Sequence, residues 1–254
     1  MKQMSMTYEA KEIGKLIDIC HSNMKNSPDT IEYLKQRGMD SYIINKYKLG
    51  FFPQNLSVLS NYVDFDVLKS KNIIRASGTS DFSEYHTLIF PIFNEYGEPV
   101  GISGRATIDS NTLKNLGIPK YKNSSYKKSN TLFGLNESMD FVRSKKKVFV
   151  VEGYFDQIAM SKNGIKNSVA ICGTAFSKAH YMKLRRYCEK IYFLLDNDDA
   201  GMKSSQSIFK KFSKYGLDLV FLKCSNKNYK DVDEYFSENS ISSFKKDFKV
   251  INLF

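Results

Sequence analysis

The chain has 254 residues, 42% hydrophobic and 14% aromatic, with 38 Lys and Arg against 27 Asp and Glu and a net charge of +11. That length and apolar content support one large or two small globular domains and exclude a disordered chain. The positive balance favours a polyanionic partner, nucleic acid foremost.

Four widely spaced cysteines, Cys20, Cys172, Cys188 and Cys224, form no CxxC or CxxH pair. No zinc ribbon is expected, and reduced thiols fit an intracellular, cytoplasmic setting. The opening "MKQMSMTYEAKEIGKL" has no apolar signal core, and no stretch reaches the length of a membrane span, so no membrane partner is expected.

In chain order, "YEAKEIGKLIDICHSNMK" sets Ile13, Leu16, Ile17, Cys20 and Met24 at helical spacing. "SPDTIEYLKQRG" predicts a second helix, with Ser27 as N-cap, Pro28 in the first turn and Gly38 as its stop. "HTLIFPIFNEYGEPVGISGRAT" predicts a hairpin turning at Gly97. Between Asp109 and Glu137 there is no acid. Five lysines stand there instead: Lys114, Lys120, Lys122, Lys127 and Lys128, with Tyr121 and Tyr126 among them.

From Lys147 the pattern changes to strand–helix alternation. The strands are "KVFVVEG", "NSVAICG", "KIYFLLD" and "LDLVFLKC"; helices begin at Tyr154, Ser177 and Asp199, and Gly164 and Gly216 close the first and third of these. Strands this apolar predict a parallel sheet covered on both faces. The fold class is therefore α/β. A mixed N-terminal basic subdomain (1–146) precedes a Rossmann-like subdomain with a central parallel sheet (147–240) and a short C-terminal extension (241–254).

Each acidic cluster falls at or beyond the end of such a strand, where open α/β sheets bind ligands. Glu152 and Asp156 follow the first strand. Asp196, Asp198 and Asp199 follow the third, and Asp231 and Asp233 the fourth; Gly173 and Thr174 close the second. Any one pair could be a turn former or helix cap, as Asp199 is expected to be. Three clusters on one sheet point instead to a hard divalent cation, Mg²⁺ or Mn²⁺, which would let neighbouring carboxylates stay ionised. His21, His86 and His180 fit no ligand spacing.

The motifs "VVEGYFD", "LLDNDDAG" and "KDVDE" resemble the TOPRIM domain, and the wider chain resembles the DnaG-type primase catalytic core of bacteria and phages. "TIEYLKQRGMDSYIINKYKLGFFP", "LIFPIFNEYGEPVGISGR" with "PKYKNS", and "EGYFDQIAMSKNGIKNSVAICGTAFS" carry that wider likeness, over roughly residues 8 to 240. It implies a polymerase that synthesises RNA primers on a single-stranded DNA template from ribonucleoside triphosphates, with two or more Mg²⁺ or Mn²⁺ ions and no zinc. It implies Glu152, Asp196 and Asp198 as catalytic residues, and metal ligation by these three with Asp156, Asp231 and Asp233. It carries nucleotide or nucleic-acid binding to Arg37, Arg105, Lys120, Asn123, Ser124 and Lys128.

The chain departs from the family in having Asp196-Asn197-Asp198 where DGD is usual, and neither a zinc-binding domain before the core nor a helicase-docking domain after it is expected. A replicative helicase or a separate zinc-domain protein is the expected partner. This compact format fits a phage or mobile-element primase working in the host cytoplasm. The alternatives are a TOPRIM nuclease using the same acids, and a non-catalytic nucleic-acid-binding module.

Overall fold

A computed structural model describes residues 6–173 and 175–253; Thr174 lies outside them. The chain divides into two compact units, Met1–Tyr126 and Lys127–Phe254.

The first unit opens with a helix, Tyr8–Asn23, capped by Thr7, whose hydroxyl accepts the Ala10 N–H at 3.2 Å. Its apolar stripe of Ile13, Leu16, Ile17 and Cys20 is buried with Phe52, Phe82, Ile89 and Ile102 in one core. The helix Pro28–Gln36 follows, with Pro28 in its first turn. Ser27 stands at its N-cap but makes no capping bond; its hydroxyl donates to Thr30 Oγ1 at 2.7 Å. Four antiparallel strands lie in the order β1 (Gly50–Phe51), β2 (Leu88–Phe93), β3 (Pro99–Arg105) and β4 (Tyr121–Asn123). The predicted hairpin is β2–β3, turning at Gly97 with φ 80°, a conformation glycine adopts without a Cβ penalty. Gly50 serves close approach: a Cβ there would sit 2.7 Å from the Cys20 carbonyl carbon.

The second unit holds a five-stranded sheet ordered β6-β5-β7-β8-β9, from β5 (Lys147–Val151), β6 (Ser168–Ala170), β7 (Lys190–Leu194), β8 (Asp218–Cys224) and β9 (Phe248–Val250). The first four in that order are parallel, as their apolar sequences predict, and β9 pairs antiparallel with β8. Val148, Val150, Val169, Ile191 and Phe193 pack with Leu184 and Phe212 of the covering helices. Residues 241–254, expected as a bare extension, thus supply a helix (Ile241–Asp247) and an edge strand. The helix Leu135–Lys145, placed before the expected boundary at 146/147, belongs to this unit.

The chain leaves β5 towards β6 on one side and returns to β7 on the other. The carboxyl ends of β5 and β7 therefore flank a topological switch point, where such sheets open a crevice for ligands.

Candidate active site

Glu152 is the first residue after β5, and Asp196 the second after β7. The two meet directly: Glu152 Oε1 accepts the backbone N–H of Asp196 at 3.0 Å. Strand β7 stops at Leu194, short of the strand predicted through Asp196, and the chain bends at Asn197 and Asp198. Asp198 is the N-cap of the helix Asp199–Phe212, accepting the Gly201 N–H at 2.9 Å. The cap expected of Asp199 is therefore supplied one residue earlier, and Asp199 is the first helical residue. The reason is geometric: an N-cap needs extended backbone, which Asp198 has (φ −115°, ψ −177°).

Asp156 lies in the first turn of the helix Tyr154–Lys162 and is only 6% exposed. Its Oδ2 accepts the Gly153 N–H at 2.8 Å, and its Oδ1 the Asp233 N–H at 3.2 Å. One buried carboxylate thereby ties the β5 end to the "KDVDE" segment. Asp231 caps the helix Val232–Glu238 through the Glu234 N–H at 2.8 Å. The turn-and-cap alternative thus describes part of what Asp198 and Asp231 do.

Burial is the first cause that pushes the Glu152, Asp156 and Asp196 carboxyls above the ordinary carboxylate range. Mutual repulsion adds to it: Asp196 and Asp198 act on Glu152, and Asp231, Asp233 and Asp196 on Asp156. Backbone N–H groups oppose the rise at Glu152 and Asp156, and Lys230 opposes it at Asp196.

Lys230 holds its Nζ 3.3 Å from Asp196 Oδ2 and is itself raised, chiefly by the Asp196 charge. Asn197 ties the same segment: its N–H donates to Lys230 O at 2.6 Å, and its Nδ2 faces the carbonyls of Tyr229 (3.2 Å), Asn226 (3.4 Å) and Cys224 (3.5 Å). Neither residue was singled out from sequence. Lys230 sits one position before an acidic motif and reads there as a solvated cation; Asn197 reads only as a departure from DGD.

Among the described residues, no three His, Cys, Asp or Glu side chains gather closely enough to form a finished metal cage. Glu152, Asp156, Asp198 and Asp231 are turned to backbone N–H groups instead, and Asp196 to Lys230. The donor chemistry nevertheless fits a hard cation: every candidate donor is a carboxylate oxygen, Asp156 is buried, Glu152 and Asp196 are half-buried, these acids repel one another, and the Lys230 ammonium already stands against Asp196.

The predicted basic and polar residues divide between the units. Arg37, Arg105, Lys120, Asn123 and Ser124 lie in the first, and Lys128 in the second. Arg105 ends β3 and is 6% exposed, its guanidinium 5.5 Å from the Tyr33 ring and 5.1 Å from the Tyr121 ring, with Nη1 donating to Tyr121 Oη at 2.6 Å. Arg37 meets the other partner of that stack: its Nε donates to Tyr33 Oη at 2.9 Å. Tyr33 was not foreseen, though its spacing four residues before Arg37 is a helical one. Asn123 Oδ1 accepts from Tyr126 Oη at 3.0 Å. Ser124 is buried and its hydroxyl accepts the Ile102 N–H at 2.9 Å, so it serves the sheet.

Two histidines with no expected role hold the backbone beside the lysines. His86 Nε2 donates to Pro119 O at 2.7 Å, next to Lys120, and His180 Nε2 donates to Lys128 O at 2.9 Å.

Comparison with known proteins agrees with this architecture. Residues 149–236 match the Toprim-like family model, and residues 19–139 match that of the DNA primase catalytic core, N-terminal domain. The DNA primase of Aquifex aeolicus is 28% identical over 89% of this chain and 46% of its own length. That of Borreliella burgdorferi is 33% identical over 78% of this chain and 39% of its own length. The crystal structure of the Aquifex aeolicus primase zinc-binding and RNA polymerase domains superposes with a TM-score of 0.82 at 26% identity, covering 94% of this chain and 59% of that one. The fold and the acidic strand ends define a TOPRIM protein. More particularly, the chain belongs to the DnaG-type primase catalytic-core family. It spans less than half the length of these two curated relatives.

Proposed function

We propose that this chain is the polymerising core of a DNA primase, a nucleotidyltransferase that joins ribonucleotides on single-stranded DNA in the cytoplasm. The observation that carries the reading is the junction of Glu152 with Asp196 at the switch point of the parallel sheet, in a chain of the DnaG family. Glu152, Asp196, Asp198 and Asp233 would hold Mg²⁺ or Mn²⁺, with Asp156 and Asp231 as supporting ligands. When bound, the metal supplies charge neutralisation to phosphate oxygens.

The chain's own residues do the rest. Glu152, whose burial and acidic neighbours hold its carboxyl above the ordinary range, is suited to accept a proton from the 3′-hydroxyl of the growing primer. Asp156 fixes the Asp233 backbone and so the position of the second acidic pair. Arg105 and Arg37, stacked about Tyr33, and Lys120 would bind phosphates of template or nucleotide. Lys128 would do the same from the backbone position that His180 holds.

Incubation with single-stranded DNA, labelled ribonucleoside triphosphates and Mg²⁺ or Mn²⁺ tests this. Oligoribonucleotides that disappear in an Asp196→Ala, Asp198→Ala variant support it. Cleavage of DNA without nucleotides would make the protein a TOPRIM nuclease instead.

A further inference from the structure

The net charge is unevenly placed. The first unit (1–126) carries 15 Lys and Arg against 13 Asp and Glu; the second (127–254) carries 23 against 14. Eight of those 14 acids lie in the segments 152–156, 196–199 and 231–234, at the carboxyl side of the parallel sheet. The remaining surface of this unit is therefore strongly cationic.

Part of that charge converges on the amino edge of the same sheet. Arg143 and Lys145 occupy the last turn of the helix Leu135–Lys145, and Lys147 begins β5. Lys147 is in register with Lys190, the first residue of β7. Lys146 O accepts the N–H of Glu189 at 2.9 Å and that of Lys190 at 3.3 Å, which fastens the two strand starts together. Arg143 lies 4.9 Å above the half-buried ring of Tyr187, which follows the exposed Arg186. Nearby, Lys166 lies 5.3 Å from the ring of Phe141, itself 36% exposed. Of the local acids, Asp218 is engaged by Lys190 at 2.6 Å, and Glu189 and Asp140 stand exposed among the cations.

We infer that this amino edge is a second single-stranded nucleic-acid contact, separate from the acidic edge. Cations beside the exposed Phe141 ring and the half-buried Tyr187 ring suit a phosphate backbone with bases that can stack, more than an acidic peptide. The edges are kept apart by the five residues of β5, about 13 Å at the rise of a strand, which exceeds the screening length of roughly 8 Å at physiological salt. The acids therefore do not cancel the cations. Such a contact holds template away from the chemistry and adds affinity without sequence preference. The choice of nucleic acid rests on the primase reading, but the surface does not depend on catalysis.

The test measures binding of a fluorescent oligothymidylate to the full chain in EDTA, across a salt series. An Arg143→Gln, Lys145→Gln, Arg186→Gln variant should bind at least about 10-fold more weakly. Its slope of log affinity against log salt should be flatter by roughly 2, at about 0.7 per single-strand phosphate contact. A Lys203→Gln, Lys210→Gln, Lys211→Gln variant removes equal charge from the exposed side of the Asp199–Phe212 helix and should keep the parent slope. Equal loss in both variants would reduce the effect to net charge, and no loss in the first would leave the edge without a DNA role; either result overturns the inference. Because EDTA removes catalysis from the measurement, failure to make primers would not be mistaken for failure here.

Discussion

Lys230 sets its ammonium 3.3 Å from Asp196 Oδ2, on the site that the acidic residues would offer to a metal. The side chain of Lys230 is 55% exposed and that of Asp196 20%, so solvent screens much of the attraction. The lysine is an internal counter-ion that an arriving divalent cation must displace or repel. Lys230→Met should therefore bind Mn²⁺ more tightly, by about 10-fold or roughly 1.4 kcal/mol, as one screened like charge is removed. Titration calorimetry of both proteins with Mn²⁺ measures this. Weaker binding in the variant would assign Lys230 to holding Asp196 in place.

The raised carboxyls of Glu152, Asp156 and Asp196 predict a pH dependence of definite sign. Below the ordinary carboxylate range, folded and unfolded chains both keep these protons and the site has no effect. As pH rises through that range the unfolded chain releases them while the folded site retains them. Stability without metal falls over the window up to the raised folded values, and is level above it. A Glu152→Gln, Asp156→Asn, Asp196→Asn variant should lack this component, so the difference in Tm between parent and variant should change across the window. Mg²⁺ should raise the parent Tm more near pH 7 than near pH 5, since it needs ionised ligands. A magnesium effect equal at both values would contradict the assignment.

Asn197 reaches three carbonyls of the segment leading to Asp231, and its N–H holds Lys230 O. Asn197→Ala keeps the backbone bond but removes the amide. Residues 225–231 should then exchange backbone hydrogens faster, with a global loss of about 1 kcal/mol. Hydrogen exchange followed by mass spectrometry reads the segment directly, and unchanged protection there would show that the amide positions nothing.

The parallel sheet was legible because its strands are nearly all apolar, and the acidic positions because they follow those strands. What the acids touch was not legible. A carboxylate at a strand end reads alike whether it caps a helix, as Asp198 and Asp231 do, or ties two segments, as Asp156 does. Only the pairing of β5 with β7 brings Glu152 to Asp196, across 44 residues of sequence. Lys230, Asn197 and Tyr33 were missed for the same reason: their roles depend on partners that no local spacing reveals. The C-terminal strand β9 was missed because "FKV" is too short to show a period.

Arg105 is buried against two tyrosine rings, a setting that uses the flat guanidinium as well as its charge. Arg105→Lys keeps the charge but cannot stack over Tyr33 and Tyr121 together. It should cost about 1–2 kcal/mol in urea unfolding and lower primer yield at subsaturating template. Full activity and stability in this variant would show that charge alone matters at the position.

Gly201 offers the sharpest sign test. In an ordinary helix Gly→Ala stabilises by about 1 kcal/mol. Here the first turn of the helix Asp199–Phe212 is pressed against the Asp196 backbone, and a Cβ at Gly201 would fall within the van der Waals shell of Asp196 O. Backbone cannot rotate aside as a flexible side chain can, so Gly201→Ala should destabilise by roughly 1–3 kcal/mol. Shifting Asp196 should also disturb the bond from its N–H to Glu152, and Mn²⁺ affinity should fall with it. Urea unfolding and metal titration on the same preparation give both numbers. A stabilised variant with parent metal affinity would show that the helix can withdraw without moving the acids.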